Sequence, residues 1–223
     1  MSDMPWRFLH GASKVVVQRR LELKVDGLHH VPAQGPVLIA SRHFHHLYDG
    51  CALMASVPRP LHILVALDWV ANPAGRIVME QACHAARWPV VERPSRRGGV
   101  ATKDAAFAFR HAARESLDLW REGRMLLVFP EGYPNIDPGF TPKRDEIEFL
   151  PFQRGYIRLV TLAAQEGMQV PIVPAGLSYQ RGEKWRVQLR FGAPMFIEKG
   201  HSQEEAAAQA IEAEVRRLSE PLA

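Results

Sequence analysis

The chain has 223 residues, 47% hydrophobic and 23% charged, which supplies enough apolar material for one globular domain and too much for a disordered or fibrous chain. Lys and Arg total 28 against 24 Asp and Glu, a net charge of +4 that favours an anionic partner such as phosphate, coenzyme A or an anionic lipid surface. The two cysteines, Cys51 and Cys83, argue against a disulfide framework; no apolar run reaches the roughly 20 residues needed to cross a bilayer, and the basic residues lack the patterns of a nucleic-acid binder.

Residues 4–20 combine Arg7, Lys14, Arg19 and Arg20 with Trp6, Phe8, Leu9 and three valines, and read as a basic amphipathic helix. Such a helix suits an anionic bilayer, or packing on the core through Phe8, Ala12 and Val15 or Val16. The alternation in LELKVDG predicts a strand ending at Gly27. PVLIAS predicts a short apolar strand, the segment after Tyr48 a helix, HILVAL a buried strand, and PAGRIVMEQACHAAR a helix opened by Pro73. A helix is expected over 102–122, with Thr102 as N-cap, apolar contacts at Ala106, Phe109, Ala113, Leu117 and Trp120, and Gly123 just past its end. MLLVF follows as a buried strand, and the polar, proline-rich stretch 134–147 reads as a long surface loop of a length that is often functional. A helix over about 156–166, the strands VPIVPAG and WRVQLRF, and a C-terminal helix complete the chain. That last helix carries Ser202 and Glu205 in capping-box spacing and apolar residues at Ala208, Ile211, Val215 and Leu218. Continuous apolar strands separated by helices predict an α/β fold, a single domain whose mixed, mostly parallel sheet is covered by helices on both faces.

In SRHFHHLYDG three histidines and an aspartate directly follow a predicted buried strand, where open α/β sheets build their sites. The cluster suits acid–base chemistry, in which a histidine takes a proton and a carboxylate fixes its tautomer, or zinc binding by His43, His45, His46 and Asp49. FPEGYPN sets Glu131 and Gly132 at the end of the MLLVF strand, and a glycine there lets backbone approach a substrate. PVVERPSRR puts Arg93, Arg96 and Arg97 beyond a short strand, with guanidinium groups that match a phosphate.

Taken in order over about residues 21–195, VDGLHHVPAQGPVLIASRH, the His43 to Asp49 segment, PVVER, FPEG, LPFQRG and VPIVPAG resemble the glycerolipid acyltransferase family that includes the 1-acylglycerol-3-phosphate acyltransferases. The resemblance implies that family's fold and an O-acyltransferase of phospholipid biosynthesis, moving a fatty acyl chain from acyl-coenzyme A or acyl-carrier protein to the hydroxyl of a lysophospholipid, with no metal or other cofactor. It implies His43 as general base with Asp49 orienting it, Arg93 on the acceptor's phosphate, Glu131 and Gly132 in acceptor binding, and Pro174 near the acyl chain. Five residues separate His43 from Asp49 where the family commonly has four, which leaves His46 as a fallback base. Arg42 stands where an asparagine is usual. Tyr133 and Pro134 replace a Thr-Arg pair and remove one phosphate-binding arginine, for which Lys143, Arg144 and Arg154 are candidates; Arg154, beside Gly155, is taken into the expected site. The acyltransferase domain is expected over 21–223, with residues 1–20 attaching a cytoplasmic protein to the inner membrane surface and no role in nucleic-acid binding. Two other readings fit the cluster: a metal-dependent hydrolase using His43, His45, His46 and Asp49, and a non-catalytic lipid-binding protein of the same fold.

Overall fold

Apolar runs too short to span anything but a sheet alternate along the chain with longer amphipathic segments, and the computed structural model, which describes residues 4–67, 70, 72–91, 103–197 and 201–221, resolves them into one α/β domain. In chain order the elements are α1 (Met4–Arg20), β1 (Leu21–Asp26), β2 (Val37–Ser41), α2 (Tyr48–Ser56), β3 (Leu61–Ile63), β4 (Val65–Ala66), α3 (Pro73–Ala86), β5 (Val90–Val91), α4 (Lys103–Arg121), β6 (Met125–Val128), α5 (Gly155–Gln165), β7 (Ile172–Gln180), β8 (Trp185–Phe191) and α6 (His201–Leu218). The main sheet runs β1-β8-β7-β2-β6-β3. β1 and β8, β7 and β2, β2 and β6, and β6 and β3 pair in parallel, while β7 and β8 run antiparallel.

The pleat divides the apolar side chains between two cores. Leu38, Ala40, Leu126, Val128 and Ile172 face α4, α5 and α6 through Trp120, Leu159, Val160, Ile211 and Val215. Val37, Ile39, Met125, Leu127, Val173 and Ala175 face the other way, against Ala52, Leu53 and Met54 of α2. Helices on both faces explain why the central strands carry no polar alternation. The close seat of α6 on β7 depends on Gly176, where a Cβ would stand 2.2 Å from the backbone carbon of Leu218.

Three sequence expectations change in detail. HILVAL is not one strand. Leu61–Ile63 joins the main sheet beside β6 and Val65–Ala66 pairs with β5, because the Leu64 N–H donates to Leu127 O at 2.9 Å and the Val65 N–H to Pro89 O at 2.9 Å. Helix α6 begins at His201, so Ser202 lies inside its first turn, whereas the buried stripe Ala208, Ile211, Val215 and Leu218 is as expected. Helix α1 docks on α2 through Leu9, Ser13 and Val17, and His10 Nδ1 donates to Met54 O at 2.8 Å. Phe8, Ala12 and Val15 point away from that contact into solvent. Thr102, the expected cap of α4, lies outside the described residues.

Candidate active site

The strand order decides what can meet. β2 lies between β6 and β7, so the loop leaving its carboxyl end at Ser41 receives the turn after β6 from one side and the end of β7 from the other. His43 sits in that loop and Asp49 in the first turn of α2 that follows. A carboxylate in a first turn faces the positive end of the helix dipole and orphan N–H groups.

Asp49 has no exposed surface, and both of its oxygens accept hydrogen bonds. Oδ2 accepts from His43 Nδ1 at 2.9 Å, from the Phe44 N–H at 2.6 Å and from the His45 N–H at 2.9 Å. Oδ1 accepts from the Tyr179 hydroxyl at 2.6 Å. Burial beside the Asp49 charge pushes the Tyr179 hydroxyl well above its ordinary pKa, which keeps it a proton donor. The ionised carboxylate can only accept, so His43 carries its proton on Nδ1. Its ring stacks on Phe129, with centroids 4.2 Å apart, and keeps 15% of its side chain exposed. The five-residue spacing is thus compatible with a direct His43–Asp49 bond. His46 instead turns to solvent, with Nδ1 3.3 Å from Ile136 O.

Behind His43 lies a second charged pair. Glu131 is the third residue of a turn with Pro130 in second place, closed by the Gly132 N–H donating to Phe129 O at 2.9 Å; Gly132 has φ 75°, a conformation glycine adopts without strain. Glu131 Oε1 accepts from the His43 N–H at 2.8 Å and Oε2 from the Leu150 N–H at 3.0 Å, and Lys143 Nζ is 2.6 Å from Oε2. Neither side chain of the pair is exposed. Burial lowers the pKa of Lys143 and the Glu131 charge opposes that shift. The stretch 134–147 is therefore not a free surface loop. The Ile136 N–H donates to Phe44 O at 2.7 Å and the His46 N–H to Ile136 O at 3.1 Å, while Asn135 Nδ2 ties Asp145 O and Glu148 O, each at 2.9 Å.

Arg42 occupies the place of the usual asparagine and is buried. It donates to Leu177 O at 3.3 Å and Glu146 O at 3.1 Å and stacks on Phe149 at 4.3 Å; burial lowers its pKa against the opposing charges of Glu131 and Asp49. His45 Nδ1 accepts from the Leu47 and Tyr48 N–H groups at 3.2 and 3.4 Å and so caps α2. Burial and the neighbouring His46 push its pKa down to about 4. Among the described residues no three His, Cys, Asp or Glu side chains are grouped to hold a metal ion. Pro174 is buried in β7 opposite Ala40 of β2, against Gly192. Arg154, at the start of α5, is exposed and ion-paired with Glu205 of α6, away from the His43 cluster. Arg93 lies outside the described residues. Tyr179, the donor to Asp49 Oδ1, stands in no motif of the sequence. Its one signal was the period-two alternation running past Gly176 through Leu177.

A mostly parallel sheet that ends in a histidine–aspartate pair, with helices on both faces, defines an acyltransferase fold: the structure matches the 1-acyl-sn-glycerophosphate (LPA) acyltransferase PlsC of Thermotoga maritima with a TM-score of 0.61 at 17% identity, over 95% of this chain and 77% of that one. No curated protein matches the chain closely. The family model for acyltransferases covers residues 22–178, and the chain belongs to that family.

Proposed function

We propose that the protein transfers a fatty acyl chain from an acyl thioester, acyl-coenzyme A or acyl-carrier protein, to the hydroxyl of a lysophospholipid, with 1-acylglycerol 3-phosphate as first choice. The observation that carries this reading is the 2.9 Å bond between His43 Nδ1 and a fully buried Asp49 in a chain of the acyltransferase family. With the proton on Nδ1, the lone pair of Nε2 is left to act as base. Nε2 takes the proton of the acceptor hydroxyl as that oxygen bonds to the thioester carbonyl carbon. The tetrahedral intermediate then breaks its C–S bond, and the Nε2 proton passes to the departing thiolate. Asp49 offsets the imidazolium charge between these steps. Arg93 is the proposed phosphate ligand, Gly132 lets the acceptor approach the turn after β6, and Pro174 borders the acyl chain. The name of the Thermotoga maritima protein, which specifies LPA, supports the choice of acceptor.

The same reading places the protein on a membrane surface. Among the described residues no helix is long and apolar enough to cross one, and α1, which has no acidic residue, exposes Met4, Phe8 and Val15 beside Arg7 and Lys14. The test of function is mass spectrometry of products from coenzyme A and carrier-protein thioesters offered with a panel of lysophospholipids and glycerol 3-phosphate. One acylated acceptor is expected; release of free fatty acid with every acceptor refused would overturn the reading in favour of a hydrolase.

A further inference from the structure

The peptide groups on both sides of the His43 Cα are gripped by one buried ion pair. Glu131 Oε1 accepts from the His43 N–H at 2.8 Å, Lys143 Nζ donates to the His43 C=O at 2.9 Å, and Nζ is 2.6 Å from Glu131 Oε2. The third Nζ proton goes to Asn135 Oδ1 at 3.0 Å, so the ammonium group has all its donors used. Holding the N–H and the C=O of one residue fixes its φ and ψ, and with them the direction of its Cα–Cβ bond. A buried ion pair gives little net stability over an apolar pair of the same volume. Its distinctive contribution here is geometric.

We propose that Lys143, acting with Glu131, is a positioning residue for the general base: the pair aims the His43 ring so that Nδ1 meets Asp49 and Nε2 faces the acceptor hydroxyl. This rests on His43 being the base, as in the function proposed above. It also distinguishes Lys143 from a phosphate ligand, since Nζ is spent on three protein acceptors and the side chain has no exposed surface. In this chain the long loop 134–147 thus returns a cation to the turn after β6, and that cation serves the histidine.

Two variants test it. Lys143→Met removes the grip on the C=O but leaves Glu131 buried and unpaired; Glu131→Gln with Lys143→Met removes both charges, and the Gln carbonyl still accepts from the His43 N–H. In whichever variant melts within a few degrees of the wild type, kcat is expected to fall roughly 10- to 100-fold, the scale of a base displaced by about 1 Å, with the acceptor KM within about threefold. The His43 Nδ1 proton, read by NMR as a downfield imidazole resonance, should shift or broaden in the same variant. Unchanged kcat with an unchanged resonance would overturn the proposal, as would a raised acceptor KM at constant kcat, the result expected of a phosphate ligand. If the wild type itself shows no turnover, the function reading fails, and the imidazole resonance alone still decides whether Lys143 aims His43.

Discussion

Asp49 takes four donors on two oxygens with no surface exposed, so losing any one of them leaves a buried acceptor short. Tyr179→Phe removes the hydroxyl on Oδ1 and should cost about 1–2 kcal/mol in urea unfolding, with kcat lowered and KM little changed. Equal stability and equal kcat would show that the 2.6 Å contact matters to neither. His45 makes a prediction about pH. Its folded pKa of about 4 lies below the ordinary 6.5, so as pH falls the unfolded chain takes up the proton first. The stability tied to this ring is complete above pH 6.5 and drains away between there and pH 4, up to about 3 kcal/mol. His45→Asn keeps an oxygen to cap α2 and removes the titration, so its unfolding free energy should vary less between pH 7 and pH 5. An equally steep variant would assign the slope to other groups, with buried His62, whose pKa burial also lowers, the first to examine.

Among the elements, α1 presents two different faces. Leu9, Ser13 and Val17 hold it to α2, and Met4, Phe8 and Val15 lie on the opposite stripe. Deleting the helix would uncover core, so the cleaner variant is Phe8→Asp with Val15→Asp, which should leave melting unchanged and weaken binding to anionic vesicles at least about tenfold. Undiminished vesicle binding would remove α1 from the membrane contact. On the opposite face of the sheet, Gly176→Ala sets a methyl against the Leu218 backbone and should push α6 off β7, at about 1–3 kcal/mol in denaturant. A neutral result would mean that α6 shifts freely on the sheet.

Across the whole molecule, the sequence patterns that were legible are those each segment carries by itself. PVLIAS, MLLVF and WRVQLRF became β2, β6 and β8, and Pro73 and Gly123 mark the helix ends as read. What was not legible depends on partners distant in the chain. The break at Leu64 follows from two carbonyls, at Leu127 and Pro89. Lys143 reads from sequence as a candidate phosphate ligand because its carboxylate partner, Glu131, is in another motif, and Tyr179 carries no site signal because it lies beyond the glycine where the apolar run ends. His43 and Asp49 were legible since both sit in one short segment after a buried strand. The most direct test of the account is thioester cleavage by His43→Ala, followed as free thiol release with and without a lysophospholipid acceptor. Acceptor-dependent release should fall about 10²- to 10⁴-fold with melting unchanged; a folded variant that keeps the wild-type rate would remove His43 from the chemistry.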